Sequence, residues 1–173
     1  MPARLHWLFL DRIDDLVPGE HAIGSYTWAP ELGIFEEHFP EWPVVPGVLL
    51  LEAMAQLSGK VIGYTVRLHR GDWPFPILSM MRNVKFRKFV RPGEEVQLEA
   101  RFDGLRDESA AMKVKARVGG TVRAQATQIF VFNAVPLEDP DHRRRLEAVE
   151  GAELARLWSG FDAAVWTGDS TGA

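Results

Sequence analysis

Two side chains that could transfer protons to or from a substrate, His38 and Glu52, occupy an otherwise apolar and proline-rich stretch over residues 38–59. An imidazole titrates near neutral pH and suits a general base. Apolar neighbours desolvate Glu52, so we expect it to keep its proton to higher pH than a free glutamate and to act as a general acid. The pair could therefore perform acid and base catalysis on one substrate.

Each of these residues also has a simpler explanation. A histidine in a proline-rich loop is compatible with a purely structural role. Glu52 could instead cap a helix or pair with a basic group in a packed interface. The two residues alone leave these alternatives open.

Three prolines determine how the chain reaches the first of the two residues. Pro40, Pro43 and Pro46 each fix φ and favour an extended conformation in the preceding residue. We therefore expect His38 to lie on a rigid, non-helical segment.

A long helix is predicted next, over residues 47–68, where strong helix formers follow one another and apolar residues fill nearly every face. Glu52 and Gln56 lie one turn apart on it, which favours a supporting hydrogen bond between them. At its start the N–H of Gly47 is unpaired and lies at the positive end of the helix dipole. A glycine also lets a substrate approach the backbone closely. We assign Gly47, Val48 and Gln56 to oxyanion or substrate binding.

The run HFPEWPVVPGVLLLEAMAQLSG, from His38 to Gly59, resembles the signature of the β-hydroxyacyl-acyl carrier protein dehydratases of the hotdog-fold superfamily. The segments LFLDRI (Leu8 to Ile13) and NVKFRKFVRPGEEV (Asn83 to Val96) resemble the opening segment and the central strand and turn of that family. The resemblance extends over residues 5–132, so most of the chain shares it.

This resemblance implies an α+β hotdog fold, in which an antiparallel sheet wraps around a long central helix. It implies removal of water from a β-hydroxyacyl thioester to give the trans-2-enoyl thioester, with no metal or redox cofactor. It assigns the catalytic roles to His38 and Glu52 and the oxyanion role to the Gly47 amide. It also places His38 and Glu52 of one site on opposite subunits of a dimer and the acyl tail in an apolar tunnel beside the helix. The glutamate favours a plain dehydratase over the related enzymes that also isomerise the double bond.

Two acidic residues depart from the family pattern. Glu37, which follows Glu36, stands where the family usually has glycine before the histidine, and Glu41 stands at another common glycine position. Their negative charge favours the protonated imidazole. We therefore expect substrate preference or activity to differ from the family norm.

Alternating apolar and polar residues after the helix predict antiparallel strands. We expect a turn at Arg91 to Glu94 and a tight hairpin turn at Gly119-Gly120. The predicted strands are Gly19 to Trp28, Ile77 to Val90, Val96 to Phe102, Met112 to Val118 and Thr121 to Phe132, with a loop over Ala29 to Trp42.

The C-terminal quarter of the chain lies outside the resemblance. We divide the chain into a hotdog domain over residues 1–134 and an addition over residues 135–173. The addition is predicted to contain a linker over Val135 to Asp141, an amphipathic surface helix over His142 to Gly160, and a frayed tail from Gly168 to Ala173. Trp158, Phe161 and Trp166 need cover from this subunit or a partner.

Composition limits the remaining possibilities. The 173 residues are 46% hydrophobic and 25% charged with a net charge of −4, which fits one soluble domain and argues against bulk binding of nucleic acid. No cysteine is present, so thiolate chemistry and cysteine-ligated metals are excluded.

The apolar run from Gly47 to Tyr64 is interrupted by Glu52, Gln56 and Lys60, which argues against a membrane span. We expect a cytoplasmic protein.

Other functions and partners stay open. The basic residues Arg82, Lys85, Arg87, Lys88 and Arg91 could attract an acyl carrier protein, or could simply keep an edge strand soluble. We expect a homodimer or a trimer of dimers. The same fold also hosts thioesterases, and a non-catalytic acyl-binding subunit is a further alternative.

Overall fold

A computed structural model describes residues 6–137 and 139–168 of the chain. These residues form a six-stranded antiparallel sheet and four helices, and the strand order is β1-β2-β4-β5-β6-β3. The strands are β1 (Arg12–Val17), β2 (His21–Thr27), β3 (Pro76–Phe86), β4 (Glu95–Leu105), β5 (Ser109–Val118) and β6 (Thr121–Phe132). The helices are α1 (Ile34–Glu37), α2 (Gly47–Arg70), α3 (Pro140–Leu157) and α4 (Ala163–Thr167).

The alternating sequences form strands as predicted. In β4 the side chains of Val96, Leu98 and Ala100 are fully buried, whereas Gln97 between them is exposed. The β5–β6 hairpin turns at Gly119 and Gly120, whose φ angles of 55° and 78° suit the mirror-image turn that joins twisted strands. The buried face of this sheet packs on α2, which confirms the predicted α+β arrangement.

Helix α2 begins and ends at local signals in the sequence. Pro46 precedes its first residue, and Gly71 ends it in the left-handed conformation with φ of 80°, donating its N–H to the Arg67 carbonyl. The helix thus reaches Arg70, two residues beyond the predicted end. Burial on every side was expected, but the side chain of Val48 is 67% exposed in the single chain.

A buried glutamine fixes the helix on the sheet. The Gln128 side chain on β6 donates a hydrogen bond to the Leu51 carbonyl at 2.9 Å and accepts one from the Ser58 hydroxyl at 3.3 Å. Because all of Gln128 is inaccessible to solvent, these bonds cannot be exchanged for water without disrupting the core. They hold the segment of α2 that carries Glu52 at a defined height above the sheet.

Strand β3 is shorter than predicted and lies at an edge. Its pairing with β6 is irregular between Arg82 and Lys85, where Asn83 has a φ of 52°, and the strand ends at Phe86 rather than Val90. Its free edge carries exposed apolar side chains, among them Met80 and Phe86. Such an edge is a template for pairing with another chain.

The C-terminal helix starts earlier than predicted. The Asp139 side chain accepts the Asp141 N–H at 2.9 Å and Pro140 occupies the first turn, so the helix begins inside the predicted linker. It ends at Leu157 instead of Gly160. Of its predicted apolar face, Val149 is exposed.

The C-terminal aromatic residues are covered by this chain. Trp158 packs edge-on against Tyr64 of α2 with ring centroids 5.1 Å apart, and Trp166 is buried and donates its indole N–H to the Glu147 carbonyl. Gly168 ends α4, and the rest of the predicted frayed tail, residues 169–173, lies outside the described residues. Within the described residues, no helix combines the length and apolarity required to span a membrane.

Gly151 of α3 provides a test of this packing. A Cβ atom there would lie 2.5 Å from Cδ1 of Trp166, which is closer than packed atoms approach. We expect Gly151→Ala to lower the free energy of unfolding by about 1–3 kcal/mol through overpacking. The matched control is Gly59→Ala in α2, where a Cβ meets nothing within 4 Å; it should raise that free energy by about 0.5–1 kcal/mol. Urea denaturation measures both. Equal effects of the two substitutions would contradict the packing of α3 against Trp166.

Candidate active site

His38 is held by the backbone that surrounds it. It follows α1, and its carbonyl accepts the Val44 N–H at 3.0 Å, which closes the proline-rich segment into a loop. Its ring Nδ1 lies 3.2 Å from the Val44 carbonyl oxygen. A carbonyl oxygen only accepts, so Nδ1 carries the proton in the neutral ring and Nε2 keeps a free lone pair. The ring therefore has the tautomer that a general base requires.

A small apolar cavity of about 310 Å³ lies beside His38. Its walls include Gly47, Val48, Leu50, Phe86 and Lys88. Three of the predicted site residues, His38, Gly47 and Val48, therefore line one cavity.

Gly47 is required by a contact that the sequence did not indicate. A Cβ atom at this position would lie 2.6 Å from the Phe86 ring, so no larger residue fits with that ring in place. The close approach expected of a substrate is made here by Phe86. The Gly47 N–H, in the first turn of α2, forms no hydrogen bond within the residues that the structure describes.

Gln56 connects Glu52 to the N-terminal segment. Its side-chain amide donates to the Glu52 carboxylate at 3.0 Å and to the Trp7 carbonyl at 2.9 Å, while its oxygen accepts the Phe9 N–H at 2.7 Å. Glu52 is half-buried. Gln56 therefore orients the carboxylate, and its own polar atoms are all used in doing so.

Glu52 lines a second and larger cavity, with a volume of about 660 Å³. One face of α2 forms its floor, with Glu52, Gln56, Gly59 and Lys60 in helical spacing. His38 does not line this cavity. Within a single chain, the structure thus places the predicted base and the predicted acid in different cavities.

The far end of this larger cavity holds a buried ion cluster. Lys60 is only 5% exposed, and its ammonium donates to Glu150 at 2.7 Å and to Glu153 at 2.5 Å, both on α3. Burial raises the pKa of the Glu150 carboxyl even though Lys60 acts to lower it. Sequence reasoning treated Lys60 only as an interruption of an apolar run. The signal that could have revealed the cluster is a lysine in a helix otherwise expected to be buried, since such a lysine needs a partner.

The predicted basic residues are all exposed, on β3 and the segment that follows it. Lys88 among them lines the cavity beside His38. No group of three or more histidine, aspartate or glutamate side chains in the described ranges is arranged to hold a metal ion.

Solved structures of a dehydratase complex and of a thioesterase share this fold. The chain is similar to the dehydratase heterocomplex ApeI:P from Xenorhabdus doucetiae, with a TM-score of 0.62 and 14% identity over 84% of this chain and 93% of that one. It is also similar to zebra fish thioesterase superfamily member 2, with a TM-score of 0.56 and 15% identity over 70% and 80% of the two chains. The predicted hotdog fold is thereby confirmed.

The sequence comparisons identify the family. FabA-like domains match residues 1–141. The chain is 34% identical over 132 residues to the 3-hydroxyacyl-acyl-carrier-protein dehydratase FabZ of Clostridium acetobutylicum, an alignment that covers 76% of this chain and 92% of that protein. It is 35% identical over 133 residues to the FabZ of Roseiflexus castenholzii, covering 77% and 91%. The chain belongs to the FabA-like dehydratase family, which confirms the resemblance seen in its motifs.

The hydrogen bonds of Gln56 can be tested through stability. Gln56→Leu leaves the part-buried Phe9 N–H without its partner and also removes the bond to the exposed Trp7 carbonyl, so we expect the free energy of unfolding to fall by about 1–3 kcal/mol. Gln97→Leu, on the exposed face of β4, is the matched control and should change it by less than about 0.5 kcal/mol. If both variants unfold at the same urea concentration, Gln56 does not anchor this segment.

Proposed function

We propose that this chain removes water from a β-hydroxyacyl thioester in fatty-acid synthesis, and that its active site combines His38 of one chain with Glu52 of a second copy. The chemistry is that of the dehydratase family to which the chain belongs. The observation that carries the two-chain site is the separation of the two side chains into different cavities of one chain. A second copy would be needed to bring a His38 cavity against a Glu52 cavity.

The free edge of the sheet supports a homodimer. Strand β3 has eleven residues and, among the residues that the structure describes, pairs only with β6. Its exposed Met80, Met81 and Phe86 continue into the exposed Val48 beside the His38 cavity. A second copy would cover this apolar surface and complete the ladder of hydrogen bonds. A trimer of such dimers is compatible with the same contacts.

The proposed reaction uses each group once. His38 Nε2 takes the proton from C2 of the acyl chain, and the Gly47 N–H binds the thioester oxygen as negative charge develops on it. Glu52, in its acid form, gives a proton to the hydroxyl on C3, which leaves as water while the C2–C3 double bond forms. His38 ends protonated and Glu52 ionised, and proton exchange with solvent restores both. Val48 would contact the substrate, while Gln56 keeps the Glu52 carboxyl in position.

We propose an acyl carrier protein as the carrier of the substrate. Lys85, Arg87 and Lys88 are exposed, and Lys88 lines the His38 cavity, which supports the entry of a phosphopantetheine arm on this side. Opposite charge would favour an acidic acyl carrier protein at this face. We propose that the enzyme lies in the cytoplasm together with that carrier.

The division of the chain belongs to the same proposal. Residues 1–134 would form the dehydratase domain and residues 135–173 an addition to it. The family match through residue 141 supports a boundary in this region, close to the start of α3 at Pro140.

Two substitutions test the catalytic roles. We expect His38→Ala and Glu52→Gln each to lower kcat for hydration of a crotonyl thioester, the reverse reaction, by about 10²- to 10⁴-fold, because each removes one proton-transfer group. Loss of the enoyl absorbance measures the rate, and circular dichroism checks folding. The matched controls are His69→Ala and Glu20→Gln, which are exposed and line neither cavity, and should keep the parental rate.

Three results would contradict parts of this proposal. Folded His38→Ala and Glu52→Gln proteins that match the parent would remove the assigned roles. Release of free thiol by the parent would indicate a thioesterase. A purified homo-oligomer without turnover would favour a non-catalytic subunit.

A further inference from the structure

The Glu52 cavity has different chemistry at its two ends. Glu52 and Gln56 form one end, and Lys60 with Glu150 and Glu153 forms the other. The rest of the lining is mostly apolar and includes Ala55, Phe75, Ile77, Leu78, Phe130 and Leu146. A substrate whose reacting carbon lies at Glu52 would therefore extend its tail over apolar side chains toward a set of charges.

Helix α3 supplies the charged end of the cavity. Leu146, Val149, Glu150 and Glu153 lie on the face of α3 that borders the cavity. The family match ends at residue 141, just after the first residue of this helix. This wall is thus built from a part of the chain that the family domain does not include.

The distance along α2 sets the space available to a tail. Glu52 and Lys60 are eight positions apart, which corresponds to about 12 Å at a helical rise of 1.5 Å per residue. An extended hydrocarbon advances about 1.3 Å per carbon, given a C–C bond of about 1.5 Å. About nine carbons beyond C3 therefore fit before the tail meets the Lys60 cluster. Because Lys60 is buried and already paired with Glu150, further methylenes would meet a filled, hydrogen-bonded cluster of charges and could pass only by breaking its contacts, which is unfavourable.

We propose that α3, through Val149 and the Lys60–Glu150–Glu153 cluster, limits the substrate to acyl chains of short and medium length. The value of kcat/KM should fall for chains longer than about twelve carbons. This inference rests on the proposed dehydratase function. It adds a determinant of chain length that lies in the C-terminal helix α3, most of which is outside the family match.

The test measures kcat/KM for hydration of a series of trans-2-enoyl thioesters, from crotonyl to hexadecenoyl, with the full-length protein. For the parent we expect kcat/KM to fall at least about tenfold between dodecenoyl and hexadecenoyl thioesters, equivalent to the loss of about 1.4 kcal/mol of transition-state binding. In Val149→Trp an indole would occupy part of the cavity. The ratio of kcat/KM for decenoyl to that for crotonyl should therefore fall about tenfold relative to the parent.

A matched control uses the opposite face of α3. Ala155 is exposed and does not line the cavity, so Ala155→Trp adds the same indole to the same helix without filling the cavity. Its decenoyl to crotonyl ratio should equal that of the parent.

A second variant tests the charged end directly. Lys60→Met combined with Glu150→Leu and Glu153→Leu replaces the cluster with apolar side chains, a change that often leaves stability intact. The ratio of kcat/KM for hexadecenoyl to that for decenoyl should rise about tenfold.

The outcomes separate this inference from the proposed function. A parent that hydrates no member of the series contradicts the function itself. A parent that is active but handles hexadecenoyl as well as decenoyl thioesters overturns the limit on chain length. Identical profiles for Val149→Trp and Ala155→Trp also overturn it, and this comparison decides the matter even if the triple variant does not fold.

Discussion

The geometry of helix α2 is the constraint on which the site depends. Glu52 follows Gly47 by five positions on the helix. The two positions therefore lie about 140° apart around the helix axis and about 7.5 Å apart along it. The Gly47 end of the helix borders the smaller cavity, which His38 also lines. Glu52 borders the larger cavity, which lies on another side of the helix. Because Gln128 fixes α2 to the sheet through the Leu51 carbonyl and Ser58, the helix cannot rotate to bring the two cavities together. The active site proposed here therefore needs two chains.

The elements that support this geometry could be predicted from short-range patterns. Alternation over Val96 to Phe102 and Met112 to Val118, the Gly119-Gly120 turn and the prolines before Gly47 each act on neighbouring residues, and the structure contains the strands, turn and helix they predict. Boundaries were less accurate where a cap or a bulge competed with the periodicity. At β3 the pairing with β6 is irregular near Asn83 and resumes only as far as Phe86, and at α3 the Asp139 cap started the helix early.

The contacts that distinguish this site are long-range, and the sequence did not predict them. Phe86 covers Gly47 and Glu150 pairs with Lys60 because the fold brings separate segments together. Local propensity carries no information on either pair. The exposure of Val149, placed on the predicted apolar face of its helix, has the same origin: that face borders an open cavity as well as the core.

The most direct measurement of the central claim uses mixed dimers. Two chains with different affinity tags, one His38→Ala and the other Glu52→Gln, are refolded together, and the species carrying both tags is purified. If each site takes His38 from one copy and Glu52 from the other, one of the two sites in this dimer is intact. It should then hydrate crotonyl thioester at about half the parental rate, although each variant alone is nearly inactive. A mixed dimer no more active than the single variants would show that both residues of a site come from one chain, and would contradict the account.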